Sequence, residues 1–203
     1  MRRIDAACLR ALSMEDVVAL ATQEGFAGRL VRHGRVFEWI RWLDYQPQSA
    51  VKDRATLAWH GDVLVETGHH AAYVEHWHRD RGRPSSTWAF RLYDPAAARA
   101  AILVVAPDRF AFARERAMPL AAGRPLRDLV LSAPTLAVAQ DVVDCEISYG
   151  ALDGWIIERS TLPWRGGTRL NVHRVGASVA LDDIDPDGRP CRRTYDILAE
   201  ETS

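Results

Sequence analysis

DVLVETGHHAAYVEHWHR, residues 62–79, reads as two β-strands around a glycine-containing turn, with its large polar side chains on one parity. Side chains alternate along a strand, so Tyr73, Glu75, Trp77 and Arg79 project to one face, and His70, Ala72, Val74, His76 and His78 to the other. Leu64 and Glu66 share a face of the first strand in the same way. A face that gathers two carboxylates, a phenol and an indole makes a costly core and a reasonable pocket wall.

The two-residue period continues on both sides. RVFEWIRWLDY (35–45) alternates large apolar and charged residues, and RATLAW, DVLVE, AYVEHWHR, TWAFRLY, AAILVVA and RFAFARE follow in quick succession. Turns are expected at His60-Gly61, Thr67-Gly68, DRGRPSS (80–86), Asp94-Pro95 and Pro107-Asp108. The pattern weakens over PLAAGRPLRDLVLSAP (119–134), which reads as a loop with one helical turn near Leu126–Leu131. Strands resume in TLAVAQDVVDCEISY, GWIIERSTL, TRLNVHRV, ASVALDDI and PCRRTYDILA, around the turns ALDG, RGG and DPDG. So many short strands joined by tight turns argue for a mainly β protein. An antiparallel meander hides its edges best by closing into a single barrel. SMEDVVALATQE (13–24) is the helix candidate: Ser13 can cap, Glu15 and Asp16 suit the helix N-terminus, and Met14, Val17, Val18 and Ala21 form an apolar stripe ended by Gly25. The expected organisation is a helical N-terminal extension over 1–34 and a β-barrel domain over 35–203.

Composition excludes several classes. Of 203 residues 48% are hydrophobic, enough for a proper core. No apolar run approaches the roughly 20 residues that span a bilayer, and the first residues lack a signal-peptide pattern, so a cytoplasmic protein with no membrane partner is expected. Cys8, Cys145 and Cys191 are scattered and odd in number, which suggests neither a disulfide framework nor a zinc knuckle. The net charge of −1 carries no basic block, so nucleic acid is not an expected partner. Lys52 is the only lysine among 26 basic residues, a bias attributed to the coding genome's base composition.

Asp62, Glu66 and Gly68 followed by Tyr73, Glu75 and Trp77 resemble the fungal Hri-type lipocalin-like proteins, where a strand of roughly D-x-L-E-x-G leads into Y-x-E-x-W-R. WAFRLYDPAAARAAILVVAPDRFAFARE looks like the next pair of barrel strands in that family, so the resemblance covers about residues 60–115. It implies a lipocalin-like barrel and carries no activity with it, since one fold hosts many functions.

Three constellations compete for function. The first is the face of Glu66, Tyr73, Glu75 and Trp77, joined by Arg91 from the following strand. As a pocket wall it would supply acid–base chemistry, because a partly dry cavity favours a neutral carboxyl group. The same residues also suit a structural salt-bridge network with Arg91 or Arg79, or a solvent-facing row of charges. The second is the histidine cluster. His76 and His78 stand two apart on one face, but the carboxylate that completes a cupin-type site is missing after HWH, and no metal is expected. The third is DCEISYGALDGWIIERSTLPW (144–164), where Glu146 or Glu158 could add a carboxylate to the cavity, with a cross-strand carboxylate–Arg pair as the favoured alternative. Nucleophile-elbow, dinucleotide and P-loop motifs are absent.

The resulting expectation is a pocket for a small, largely apolar molecule with one polar end. Trp39, Trp42, Trp77, Trp88 and Tyr73 would form its walls, and Glu66, Glu75, Arg91 and Glu146 its polar contacts. Its catalytic version is cofactor-independent chemistry of a cyclase, isomerase or lyase, with Glu66 or Glu75 as base and Tyr73 as oxyanion donor. The alternative is an interaction module whose barrel is filled by its own side chains. A homodimer is compatible with either.

Overall fold

The computed structural model describes residues 4–78 and 86–202. Arg79 and most of the DRGRPSS turn lie outside them. Helix α1 (Met14–Leu20) begins at a capping box: the Ser13 hydroxyl accepts from Asp16 N–H, and the Asp16 carboxylate accepts from Ser13 N–H. The smaller sheet follows as β1 (Phe26–His33), β2 (Val36–Asp44), β3 (Arg54–His60), β4 (Val63–Gly68) and β5 (Val74–His78), an antiparallel meander in that order. The expected boundary at residue 34 therefore falls inside a hairpin, in the turn where Gly34 takes φ +65°. The mixed run FAGRLVRH lacks clean alternation, which hid β1 from a period-two reading.

The larger sheet contains β6 (Trp88–Asp94), β7 (Arg99–Val105), β8 (Arg109–Arg114), β9 (Glu146–Ala151), β10 (Ile156–Ser160), β11 (Val172–Val175), β12 (Ser178–Ile184) and β13 (Pro190–Thr202). Its spatial order is β10-β9-β8-β7-β6-β13-β12-β11. The single closed barrel expected from the pattern is thus replaced by two sheets, the larger of them curled into a half-barrel. Strand β13 makes the turn of the curl. Its first half pairs with β12 and its second half with β6, with an irregularity between Ile197 and Ala199. The edge strand β10 is stitched to the segment leading into β11, the other edge. Arg169 bridges Ile156, Ile157 N–H donates to the Thr168 carbonyl, and Leu170 N–H donates to the Trp155 carbonyl.

Between β8 and β9 the chain forms α2 (Leu126–Leu131), at the expected position, and α3 (Leu136–Val142), where a strand was expected. Thr135 caps α3 by accepting from Val138 N–H. Ala139, Val142 and Val143 then pack with Leu9, Val17, Leu20, Leu126 and Val130 in a helical core. A second core fills the half-barrel, with Leu92, Leu103, Phe110, Phe112, Leu181 and Tyr195 on its inner face. The outer face carries Ile102 and Ala113, which pack on Leu43 of the smaller sheet. Arg116 ties the three parts together by donating to the carbonyls of Val142, Asp44 and Tyr45. No helix among the described residues is long and apolar enough to cross a membrane.

Candidate functional site

Three places combine chemistry with space or burial. The first is the cluster around Glu66, which is buried on β4. Its carboxylate accepts hydrogen bonds from the Trp39 indole at 3.1 Å, the Trp77 indole at 2.9 Å and the Tyr73 hydroxyl at 2.9 Å. Trp39 and Trp77 stack with ring centroids 6.0 Å apart. They sit on β2 and β5, which a flat sheet would hold about 14 Å apart across two intervening strands. The smaller sheet is therefore strongly curled, and the carboxylate closes the curl. Burial, then the Glu66 hydrogen bond and the nearby Glu66, Asp53 and Glu75 charges, push the Tyr73 phenol above its ordinary value. This is a carboxylate held by three donors, with the Tyr73 proton committed to it.

Glu75 pairs in register with Glu66, as the shared parity requires, yet it is exposed along with all of β5. The expectation that Glu75 and Tyr73 point into one cavity is therefore corrected. Among the described residues β5 has a strand neighbour on one side only, and its Glu75 side chain is exposed. His76 and His78 are exposed as well, and among the described residues no three His, Cys, Asp or Glu side chains converge as metal ligands would.

Beside this cluster lies an open cleft of about 900 Å³ whose walls include Trp39, Arg41, Asp44, Asp53 and Lys52. Its charges are already matched. Arg41 spans Asp44 at 3.1 Å and Asp53 at 2.6 Å, and Glu38 takes Lys52 at 2.9 Å and Arg54 at 2.7 Å. The hydrogen bonds from Lys52 and Arg54 hold the Glu38 carboxyl below its ordinary value.

The second place is one end of the half-barrel. Glu146 is buried there, accepting from Arg165 at 2.9 Å and from the Ser148 hydroxyl at 2.7 Å, with Arg114 at 3.8 Å. Arg114 also reaches Asp144 at 3.0 Å, Arg99 reaches it at 2.8 Å, and Arg193 reaches Asp183 at 2.6 Å. Burial alone would raise the Asp144 and Asp183 carboxyls. The charges of Arg114 and Arg99 on one, and of Arg114, Arg165 and Arg193 on the other, outweigh it and hold both low. The carboxylate–Arg pairing weighed for Glu146 is what its neighbours provide, in a space already full.

The third place is the opposite end of the same half-barrel. A hollow of about 370 Å³ opens between Trp88, Phe90, Leu103, Val105, Trp155 and Val179. Register puts these side chains on one face: Trp88 faces Val105, Phe90 faces Leu103, and Val105 faces Phe110. Behind the hollow Gly150 lets β9 and β10 approach closely, since a Cβ there would collide with the Ile156 carbonyl oxygen and crowd the Phe110 ring at 2.8 Å. Trp155 stands at φ +56°, a strained conformation for a bulky residue. It is held by its ring against Phe110, centroids 5.3 Å apart, and by its carbonyl, which takes the Leu170 N–H of the stitch.

The residues singled out from sequence thus disperse. Trp39, Glu66, Tyr73 and Trp77 come together in the smaller sheet, and Trp88 lines the apolar hollow. Trp42 and Arg91 meet each other instead, the guanidinium 4.6 Å from the indole centroid. Phe90, Leu103, Val105, Trp155, Val172, Arg174 and Val179 line the hollow and were missed. The parity of TWAFRLY and AAILVVA could have indicated Phe90, Leu103 and Val105, but nothing local signals that Trp155, Val172 and Val179, fifty or more residues later, close over them. Compared with known proteins, the chain matches no family model, no curated protein and no solved structure.

Proposed function

We propose that the protein binds a small, largely apolar molecule in the hollow at the open end of its half-barrel. The observation that carries this reading is the hollow itself, about 370 Å³ in volume, walled by Trp88, Phe90, Leu103, Val105, Trp155 and Val179. Interiors normally pack without voids larger than a water molecule, and ligand sites begin at about 300 Å³ with mostly apolar and aromatic walls. The strained Trp155 supports the same reading, because backbone strain collects where a site has to be shaped. The role is binding. Among the described residues lining the hollow Arg174 alone is ionisable, and the reading needs no base there. The Glu66–Tyr73 pair belongs to the other sheet. The alternative of a module filled by its own side chains fits the ionic end of the half-barrel and not this one.

The test uses the neutral fluorophore N-phenyl-1-naphthylamine, whose emission rises on entering an apolar site. The expected result is saturable binding at one site per chain. Val179→Trp, which fills the hollow, should abolish it while leaving the circular dichroism spectrum unchanged. No saturable binding, or equal binding by the folded Val179→Trp variant, would overturn the proposal.

A further inference from the structure

Among its described residues the hollow carries one charge at its rim, and we infer that this charge sets the ligand class: an amphiphilic monoanion, with an apolar chain in the hollow and a carboxylate on Arg174. The inference rests on the reading of the hollow as a ligand site. Arg174 is the only ionisable one among the described residues lining it. In register Arg174 faces Val179, a wall residue, and its guanidinium lies 5.9 Å from the Phe90 ring centroid. The head of the side chain thus stands beside the apolar walls.

That guanidinium is engaged by a partner well suited to being replaced. Nη1 and Nη2 of Arg174 donate to the two carboxylate oxygens of Glu200 at 3.2 and 3.1 Å, a fork reaching over β12. Both distances exceed the 2.7–2.9 Å usual for charge-assisted bonds. The two side chains are 53% and 32% exposed. An exposed pair of this kind adds little to stability, so exchanging its carboxylate for another costs little. A ligand carboxylate offers the guanidinium the same planar, two-oxygen match. It also brings a chain whose burial in the hollow Glu200 cannot supply. A cationic ligand would meet Arg174 with like charge, and Glu200 is not among the residues lining the hollow. A neutral ligand would leave the Arg174–Glu200 pair intact and gain nothing from it.

Decanoate, 1-decanol and decylamine separate these cases. Each is titrated into the full chain at low ionic strength, with tryptophan emission as the readout and displacement of N-phenyl-1-naphthylamine as the check on location. Decanoate should bind about tenfold more tightly than decanol, the gain expected of one charge-assisted contact at a rim. Arg174→Gln should remove that preference, read as the ratio of decanoate to decanol affinity within the same variant. Glu200→Gln, which frees the guanidinium, should tighten decanoate about threefold and leave decanol alone. Equal binding of decanoate and decanol, or tighter binding of decylamine, would overturn the anionic class while leaving the apolar site standing. Failure of all three, together with failure of the neutral fluorophore, would remove the site itself.

Discussion

The two ends of the half-barrel are built by the same sheet and reach opposite outcomes. At one end Arg114 on β8, Glu146 on β9, Asp183 on β12 and Arg193 on β13 point inward, and Arg99, Asp144 and Arg165 complete a packed, ion-paired cluster of four arginines and three carboxylates. At the other end Trp88 and Phe90 on β6, Leu103 and Val105 on β7 and Val179 on β12 point inward, and about 370 Å³ is left open. Long charged side chains close a space by reaching across it to find partners, because an unpaired buried charge is too costly to leave. Apolar side chains reach no farther than their own contacts require, and a small residue such as Val179 leaves room. The chemistry of the inward residues, more than the curvature of the sheet, decides which end is solid.

The most direct way to break this comparison is to truncate the solid end. Arg114→Ala leaves Asp144 and Glu146 buried without their shared partner and should destabilise folding by about 3–5 kcal/mol, read from urea unfolding. The same cluster predicts an acid limb. The folded-state Asp144 and Asp183 values lie below the ordinary 3.8. Their contribution is therefore present above the unfolded value and is lost as pH falls from about 4 through the lower folded values. Urea midpoints should drop steeply below about pH 4 in the wild type and more gently in Arg114→Ala. Parallel acid limbs would show that these carboxylates are not what the arginines stabilise.

A smaller effect sharpens the contrast between buried and exposed carboxylates. Glu66→Ala strands two indole N–H groups and the Tyr73 hydroxyl and should cost about 2–4 kcal/mol, whereas Glu75→Gln on exposed β5 should change stability by less than about 0.5 kcal/mol. Similar losses from both would mean that Glu75 shares the load. At the hollow end, Trp155→Gly should be more stable than Trp155→Ala by about 1 kcal/mol, because glycine adopts φ +56° without strain. Thermal unfolding of the two variants side by side reads this difference. Alanine equal to or better than glycine would indicate that the backbone relaxes out of that conformation. Filling part of the hollow should also cost little: Val179→Leu should leave stability within about 1 kcal/mol of wild type and weaken N-phenyl-1-naphthylamine binding.

Much of the strand inventory was legible because a strand with one buried face writes its period into the chain. TWAFRLY, AAILVVA and RFAFARE became β6, β7 and β8 for that reason. The parity of Glu66, Glu75 and Trp77 was legible on the same ground, since it follows from backbone geometry alone. Exposure was not. Glu66 is buried because Trp39, twenty-seven residues earlier in the chain, folds its indole onto the carboxylate. Glu75, on the same face, is exposed because β5 ends the sheet. LAVAQDV reads as a strand and forms α3 because Thr135 caps it and Ala139 and Val142 find the other helices. Tertiary packing overrides a weak local preference in such a segment.

The sequence by itself determined a mainly β chain with a capped first helix, the strands with clean alternation and the residues that share each face. These are consequences of local backbone geometry and of which side chains tolerate water. Only the tertiary structure decided that the strands divide into two sheets, that β13 inserts between β6 and β12, and that one end of the half-barrel is packed with arginine–carboxylate pairs while the other stays open. Those outcomes depend on contacts between residues a hundred positions apart. Their energies come from pairing buried charges and excluding water across the whole curl, and no local pattern carries that information.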